Sequence, residues 1–124
     1  MADYRSYKKL DRWKTAKEMT LLVYNLFGGL RDFAFRDQIQ AASISTMSNI
    51  AEGYSRFSQK EFVRFLQISL ASNTEVSSLL DVSKDIGYIN SESFLKLDDI
   101  NVKLSKQLTS FINTIKDQIE KSLD

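Results

Sequence analysis

Asn49, Glu52, Ser69, Ser72, Asn73 and Glu75 place amide, carboxylate and hydroxyl groups where a helical bundle ordinarily carries aliphatic side chains. Asn49 and Glu52 are one helical turn apart and so share a face, with Ser45 and Ser48 a turn further back. Ser69, Ser72 and Asn73 continue a stripe opened by Phe62 and Phe65. If the two segments pair antiparallel around the Gly53–Ser58 turn, the polar sets face each other. A buried polar group without a partner costs about 1–3 kcal/mol, so Asn and Ser are expected to supply partners to the Glu carboxylates. The plainer reading is an inter-helix hydrogen-bond network that fixes pairing and register. The functional reading is a small polar pocket, or an anion or RNA contact, near the turn.

Catalysis finds little support in the residue types. The chain has no His and no Cys, which removes the usual general base, the commonest transition-metal ligand and thiolate chemistry. A carboxylate-bridged di-metal bundle needs a Glu from each of two helices and Glu-x-x-His pairs from the others, and no such pairs occur. Glu52, Glu75, Asp81 and Asp85 could bind a hard cation, but no spacing demands it. The sequence therefore predicts a non-enzymatic protein with no cofactor and no metal.

Arg56, Lys60 and Arg64 form a second group, with Lys60 and Arg64 a turn apart and Arg56 ahead of a helix start. Cations beside a helix N-terminus can take a phosphate; against this, Glu61 opposes an anion, and a solvated charged face is the plainer reading. Phe57 and Phe62 are near enough to stack on bases, but their spacing assigns them to a hydrophobic staple. Net charge is only +1, unevenly spread. Arg5, Lys8, Lys9, Arg12, Lys14 and Lys17 outnumber Asp3, Asp11 and Glu18 in the first 30 residues, whereas residues 65–124 are acidic. Solvated helix faces, a nucleic-acid patch and head-to-tail assembly all fit this asymmetry.

Four helices must position these groups. At 124 residues the chain is one domain, 1–124. The first helix is expected over Tyr7–Phe27, with Leu10, Trp13, Ala16, Thr20, Val23 and Phe27 on one face and Met19, Leu22 and Leu26 on a second stripe. Two stripes exceed what one neighbour covers, so a lone bundle is expected to leave one exposed. Gly28-Gly29 is expected to end this helix in left-handed backbone angles. The second helix spans about Arg31 to Gly53 and is dense in small residues, which let helix backbones approach closely. The third opens on a capping box, Ser58 with Glu61, and stops at Gly87; the fourth runs from Ser91 on the stripe Leu97, Ile100, Leu104, Leu108, Phe111, Ile115, Ile119 and Leu123. Short loops make successive helices antiparallel neighbours. The predicted fold is all-α, an up-down-up-down four-helix bundle. No run approaches the roughly 18 apolar residues of a membrane span, and the N-terminus lacks a signal-peptide core. The reading is a soluble, cytoplasmic protein.

At Asn49-Ile50-Ala51-Glu52-Gly53, and at Arg56-x-Ser58-x-Lys60-Glu61-Phe62-x-x-Phe65-Leu66-x-Ile68, the sequence resembles the four-helix-bundle proteins encoded in intervening sequences of bacterial 23S ribosomal RNA genes, also labelled S23 ribosomal proteins. Ser72, Glu75 and Asp85-Ile86-Gly87-Tyr88-Ile89 continue the pattern. The resemblance implies a homopentameric ring, similar in fold to the accessory protein of diversity-generating retroelements, which associates with a reverse transcriptase and nucleic acid. Members have no established biochemical role. Two departures stand out: Met47 replaces a usual Pro, and Leu70-Ala71-Ser72 replaces a frequent Arg-Gly-Ser, removing a cation.

Together these readings give a self-associating interaction protein. Asn49, Glu52, Gly53, Ser58, Glu61 and Glu75 are expected to hold helices two and three together. Lys8, Lys9, Arg12, Arg56, Lys60 and Arg64 are the candidate contacts to RNA or to a nucleic-acid enzyme. The alternative is a protein-binding structural or adaptor oligomer with no nucleic-acid role.

Overall fold

The computed structural model describes residues 3–123. A 3₁₀ helix, Tyr4–Lys9, precedes four α-helices: α1 (Asp11–Phe27), α2 (Phe33–Tyr54), α3 (Gln59–Asp85) and α4 (Ser91–Ser122). Each packs on the next, and α1 also packs on α4, closing an antiparallel four-helix bundle. Met19, Val23, Phe27, Ile39, Ile50, Leu66, Val76, Leu80, Leu97, Leu104 and Leu108 form its fully buried core. Among the described residues, no helix is long and apolar enough to cross a membrane.

Local chemistry sets the helix ends. The Asp32 carboxylate accepts from the Phe35 amide (3.2 Å), the Ser58 hydroxyl from the Glu61 amide (3.4 Å) and the Asn90 side-chain oxygen from the Ser93 amide (2.8 Å). Each fills an N-terminal donor that the helix itself leaves unbonded. Gly87 closes α3 with φ +80°; the Tyr88 amide reaches the Ser83 carbonyl (2.8 Å) and the Gly87 amide the Lys84 carbonyl (3.1 Å). That bond pair requires a left-handed residue at Gly87.

The structure corrects four expectations. The first α-helix starts at Asp11 rather than Tyr7, because Leu10 is extended (φ −72°, ψ 128°) and the preceding 3₁₀ helix folds back on α1 and α2. Tyr7 meets the Trp13 ring edge-on at 5.1 Å, which holds that bend. Gly28 is right-handed (φ −60°, ψ −30°), so α1 ends without the expected left-handed cap. The second stripe of α1 is covered within the chain: Met19 is fully buried and Leu22 and Leu26 half-buried, since α1 has two neighbours. Leu21 and Tyr24 are exposed instead. Finally, Phe57 makes no staple. It is 96% exposed, while Phe62 packs edge-on against Tyr54 (5.8 Å) and Phe111 (5.4 Å).

Candidate nucleic-acid interface

The antiparallel topology gathers the start of α1, the end of α2, the start of α3 and the end of α4 at one end of the bundle. Two contacts fasten that end: Gln59 donates to Gln118 at 3.2 Å, and the Tyr54–Phe62–Phe111 ring cluster ties α2, α3 and α4. Its surface carries the predicted basic residues. Lys8 and Lys9 lie exposed in the last turn of the 3₁₀ helix. Arg56 and Lys60 flank the α2–α3 turn, exposed, and Arg64 follows one helical turn later.

The cations differ in how they are held. The Arg56 and Arg64 guanidiniums lie 4.8 and 5.2 Å from the Phe65 ring centroid, within range of the attraction between a cation and a ring quadrupole. Arg12 is half-buried, with its guanidinium 4.4 Å from the Phe111 centroid and its Nε buried without a partner. It therefore anchors α1 to α4 more than it serves the surface. Among the described residues, ion pairs join only Arg5 to Asp3 and Arg36 to Asp37. Arg56, Lys60 and Arg64 are thus not neutralised by a contacting carboxylate of the described chain. Glu52 and Glu61, both exposed, are the acids nearest to the turn in sequence.

The polar seam lies away from this surface, along the α2–α3 and α3–α4 contacts. The Ser45 and Ser72 hydroxyls meet at 2.8 Å, and Asn49 donates to the Ser45 hydroxyl (3.1 Å) and carbonyl (2.8 Å). The Ser69 hydroxyl donates to the Thr46 carbonyl at 2.6 Å. These bonds bring the α2 and α3 polar sets face to face. The carboxylates, however, do not join them. Glu52 is exposed, and Glu75, also exposed, accepts only from Gln38 at 3.4 Å. A carboxylate costs more to bury than a hydroxyl, and the serines and asparagine satisfy one another without it. Asn73 turns to α4 instead, where it pairs with Asn101. Gly53 is buried in α2, and a Cβ there would stand 2.7 Å from Phe65 Cβ and 2.9 Å from Phe62 Cδ1. Its missing side chain is what lets α2 approach α3. Among the described residues, no cluster of three or more Asp, Glu, His or Cys is placed to hold a metal ion.

A profile of the 23S rRNA-intervening sequence protein family matches residues 8–110. The chain belongs to that family. The matched span takes in the α2–α3 turn and the polar seam, and it ends inside α4. A crystal structure from the S23 ribosomal protein family, from Bacteroides thetaiotaomicron and described as of unknown function, is 23% identical with a TM-score of 0.78. The alignment covers 82% of this chain and 97% of that one. At that identity the likeness concerns the fold. No curated protein matches the chain.

Within this member of the 23S rRNA-intervening sequence family, sequence reasoning missed Asn101, Ser105 and the freedom of Phe57. Asn101 lies on α4 between Leu97 and Leu104, on the buried stripe, and that position was the available signal. Nothing in the residue types shows that Phe62 is already engaged by Tyr54 and Phe111, since those contacts cross three helices.

Proposed function

We propose that this chain is a non-catalytic, self-associating protein that binds RNA through the basic end of the bundle. The observation that supports this most is the gathering of Lys8, Lys9, Arg56, Lys60 and Arg64 at one end, with no contacting carboxylate among the described residues for the three at the turn. Phosphate contacts supply most sequence-independent affinity for nucleic acid, and releasing counterions makes that affinity fall as salt rises. A fluorescence-anisotropy titration with RNA at low and moderate salt tests the reading: binding that weakens steeply with salt is expected, and a flat salt response counts against it.

Self-association is supported by apolar groups outside the core. Leu21 is 61% exposed and Leu95 59%. A groove of about 360 Å³ runs between α1 and α4, lined by Glu18, Leu21, Leu22, Asn25, Lys96 and Ile100. Assembly as a pentamer, which the family resemblance implies, gives a ring that repeats the basic end five times and multiplies a weak single contact. The second reading, a protein-binding adaptor oligomer, draws on the same exposed apolar groups. It expects no affinity for RNA and an oligomer unchanged by Arg56→Ala and Lys60→Ala.

A further inference from the structure

We propose that Phe57 is a stacking platform for an unpaired base of single-stranded nucleic acid, with Arg56 and Lys60 taking the flanking phosphates. The inference rests on the RNA-binding reading above and narrows it to a ligand class and a residue.

Phe57 occupies the turn between Tyr54, the last residue of α2, and Ser58, the N-cap of α3. At 96% exposure the ring has its faces uncovered and gives up the burial that nearby Phe62 and Phe65 obtain. The place it would take as a staple is closed, because Phe62 is engaged edge-on by Tyr54 and Phe111. Phe65 is engaged too, beneath the Arg56 and Arg64 guanidiniums. Phe57 is therefore the aromatic ring of this turn left for a ligand.

Its surroundings choose the ligand. Ser55, Arg56, Ser58, Gln59 and Lys60 are all exposed and polar, so Phe57 is not the centre of an apolar patch. Protein-binding anchors sit in desolvated, well-packed surroundings, which this turn lacks. A lone ring between cations is what single-stranded nucleic acid uses: every base offers a π-face, and basic groups follow the backbone. Arg56 stands immediately before Phe57 and Lys60 three residues after it, one on each side of the ring in sequence. Glu52 and Glu61 limit the positive field to the turn itself, favouring a short contact over a long electrostatic track. Duplex RNA is a poorer fit, because its bases are already stacked and its major groove admits no side chain.

The test compares the full chain with Phe57→Ala, Phe57→Trp and Arg56→Ala/Lys60→Ala. The probes are a fluorescein-labelled oligouridylate of about twelve nucleotides, its deoxy counterpart, and the oligouridylate paired with oligoadenylate. Stacking on one base is commonly worth about five- to a hundred-fold in affinity. Phe57→Ala is expected to weaken single-strand binding by that factor, leaving duplex binding, melting temperature and solution mass unchanged. Phe57→Trp is expected to retain binding, and the double variant to flatten the salt dependence. Wild-type protein that binds RNA while Phe57→Ala stays within about two-fold overturns the platform and leaves the RNA reading standing. Wild-type protein that binds none of the probes at low salt overturns both. A fall in solution mass on Phe57→Ala would assign the ring to a second copy of the chain and overturn the proposal.

Discussion

Asn73 and Asn101 exchange hydrogen bonds across the α3–α4 contact. Asn101 Nδ2 donates to both the side-chain and main-chain oxygens of Asn73, each at 2.9 Å, and Asn73 Nδ2 donates to the Asn101 carbonyl at 3.0 Å and to Ser105 Oγ at 2.9 Å. Asn73 is fully buried and Asn101 nearly so. A reciprocal amide pair of this kind is satisfied in one register only, so it selects how α3 and α4 align.

Removing one member should cost more than removing both. Asn73→Ala or Asn101→Ala strands a buried amide and should destabilise the fold by about 1–3 kcal/mol or more. Leucine at both positions replaces the pair with apolar volume and should be closer to neutral. Urea unfolding at one protein concentration checks this; an additive double variant would show that the two residues are not coupled.

At the opposite end of the bundle from the basic turn, the Tyr88 hydroxyl donates to Asp32 Oδ2 at 2.6 Å, joining the α3–α4 loop to the α2 cap. That bond, and then the Phe35 amide, hold the Asp32 carboxyl below its ordinary value of 3.8. The same bond raises Tyr88 above its ordinary 10.0. A lowered carboxyl stabilises the fold above about pH 3.8 and loses that contribution as pH falls through its folded value. A raised phenol contributes below about pH 10 and loses its part as pH climbs through its own. Melting curves of Tyr88→Phe should therefore show shallower acid and alkaline limbs than wild type. Identical limbs would remove this bond from the pH response.

Gly53→Ala should destabilise despite the better helix propensity of alanine. Propensity favours Ala by about 1 kcal/mol, whereas the new Cβ collides with the Phe62 ring and with Phe65 Cβ, and overpacking costs about 1–3 kcal/mol. Gly29→Ala is the control, since nothing lies within 4 Å of its would-be Cβ. Thermal melts should lower the midpoint for the first and leave the second near wild type.

A charge in the α1–α4 groove should oppose assembly. Leu21→Asp places a carboxylate beside Glu18, in a position too exposed to matter for the core. Sedimentation should then show smaller species with an unchanged helical spectrum. An unchanged mass would move the assembly surface off this groove.

The four helices were legible because their apolar stripes are long and two of their end signals local: Ser58 and Gly87 act on neighbours within a few residues. The start of α1 was not, because its break at Leu10 depends on the 3₁₀ helix docking against α2. The polar seam was legible in its serines, which met as the antiparallel pairing requires. It was misread in expecting Asn and Ser to partner Glu52 and Glu75, since residue type alone does not say whether a side chain on a stripe's edge turns inward; Glu75 still joins α3 to α2, through Gln38. Phe57 was assigned to a staple by spacing, and only the engagement of Phe62 by Phe111, 49 positions away, releases it.

Solution mass by light scattering, at low and high salt, with and without single-stranded RNA, tests the central proposal most directly. Protein alone is expected at about five times the 14.3 kDa chain mass, with an increase on adding RNA at low salt and loss of that increase at high salt. A 14.3 kDa species whose mass RNA does not change at either salt would contradict both the assembly and the nucleic-acid role.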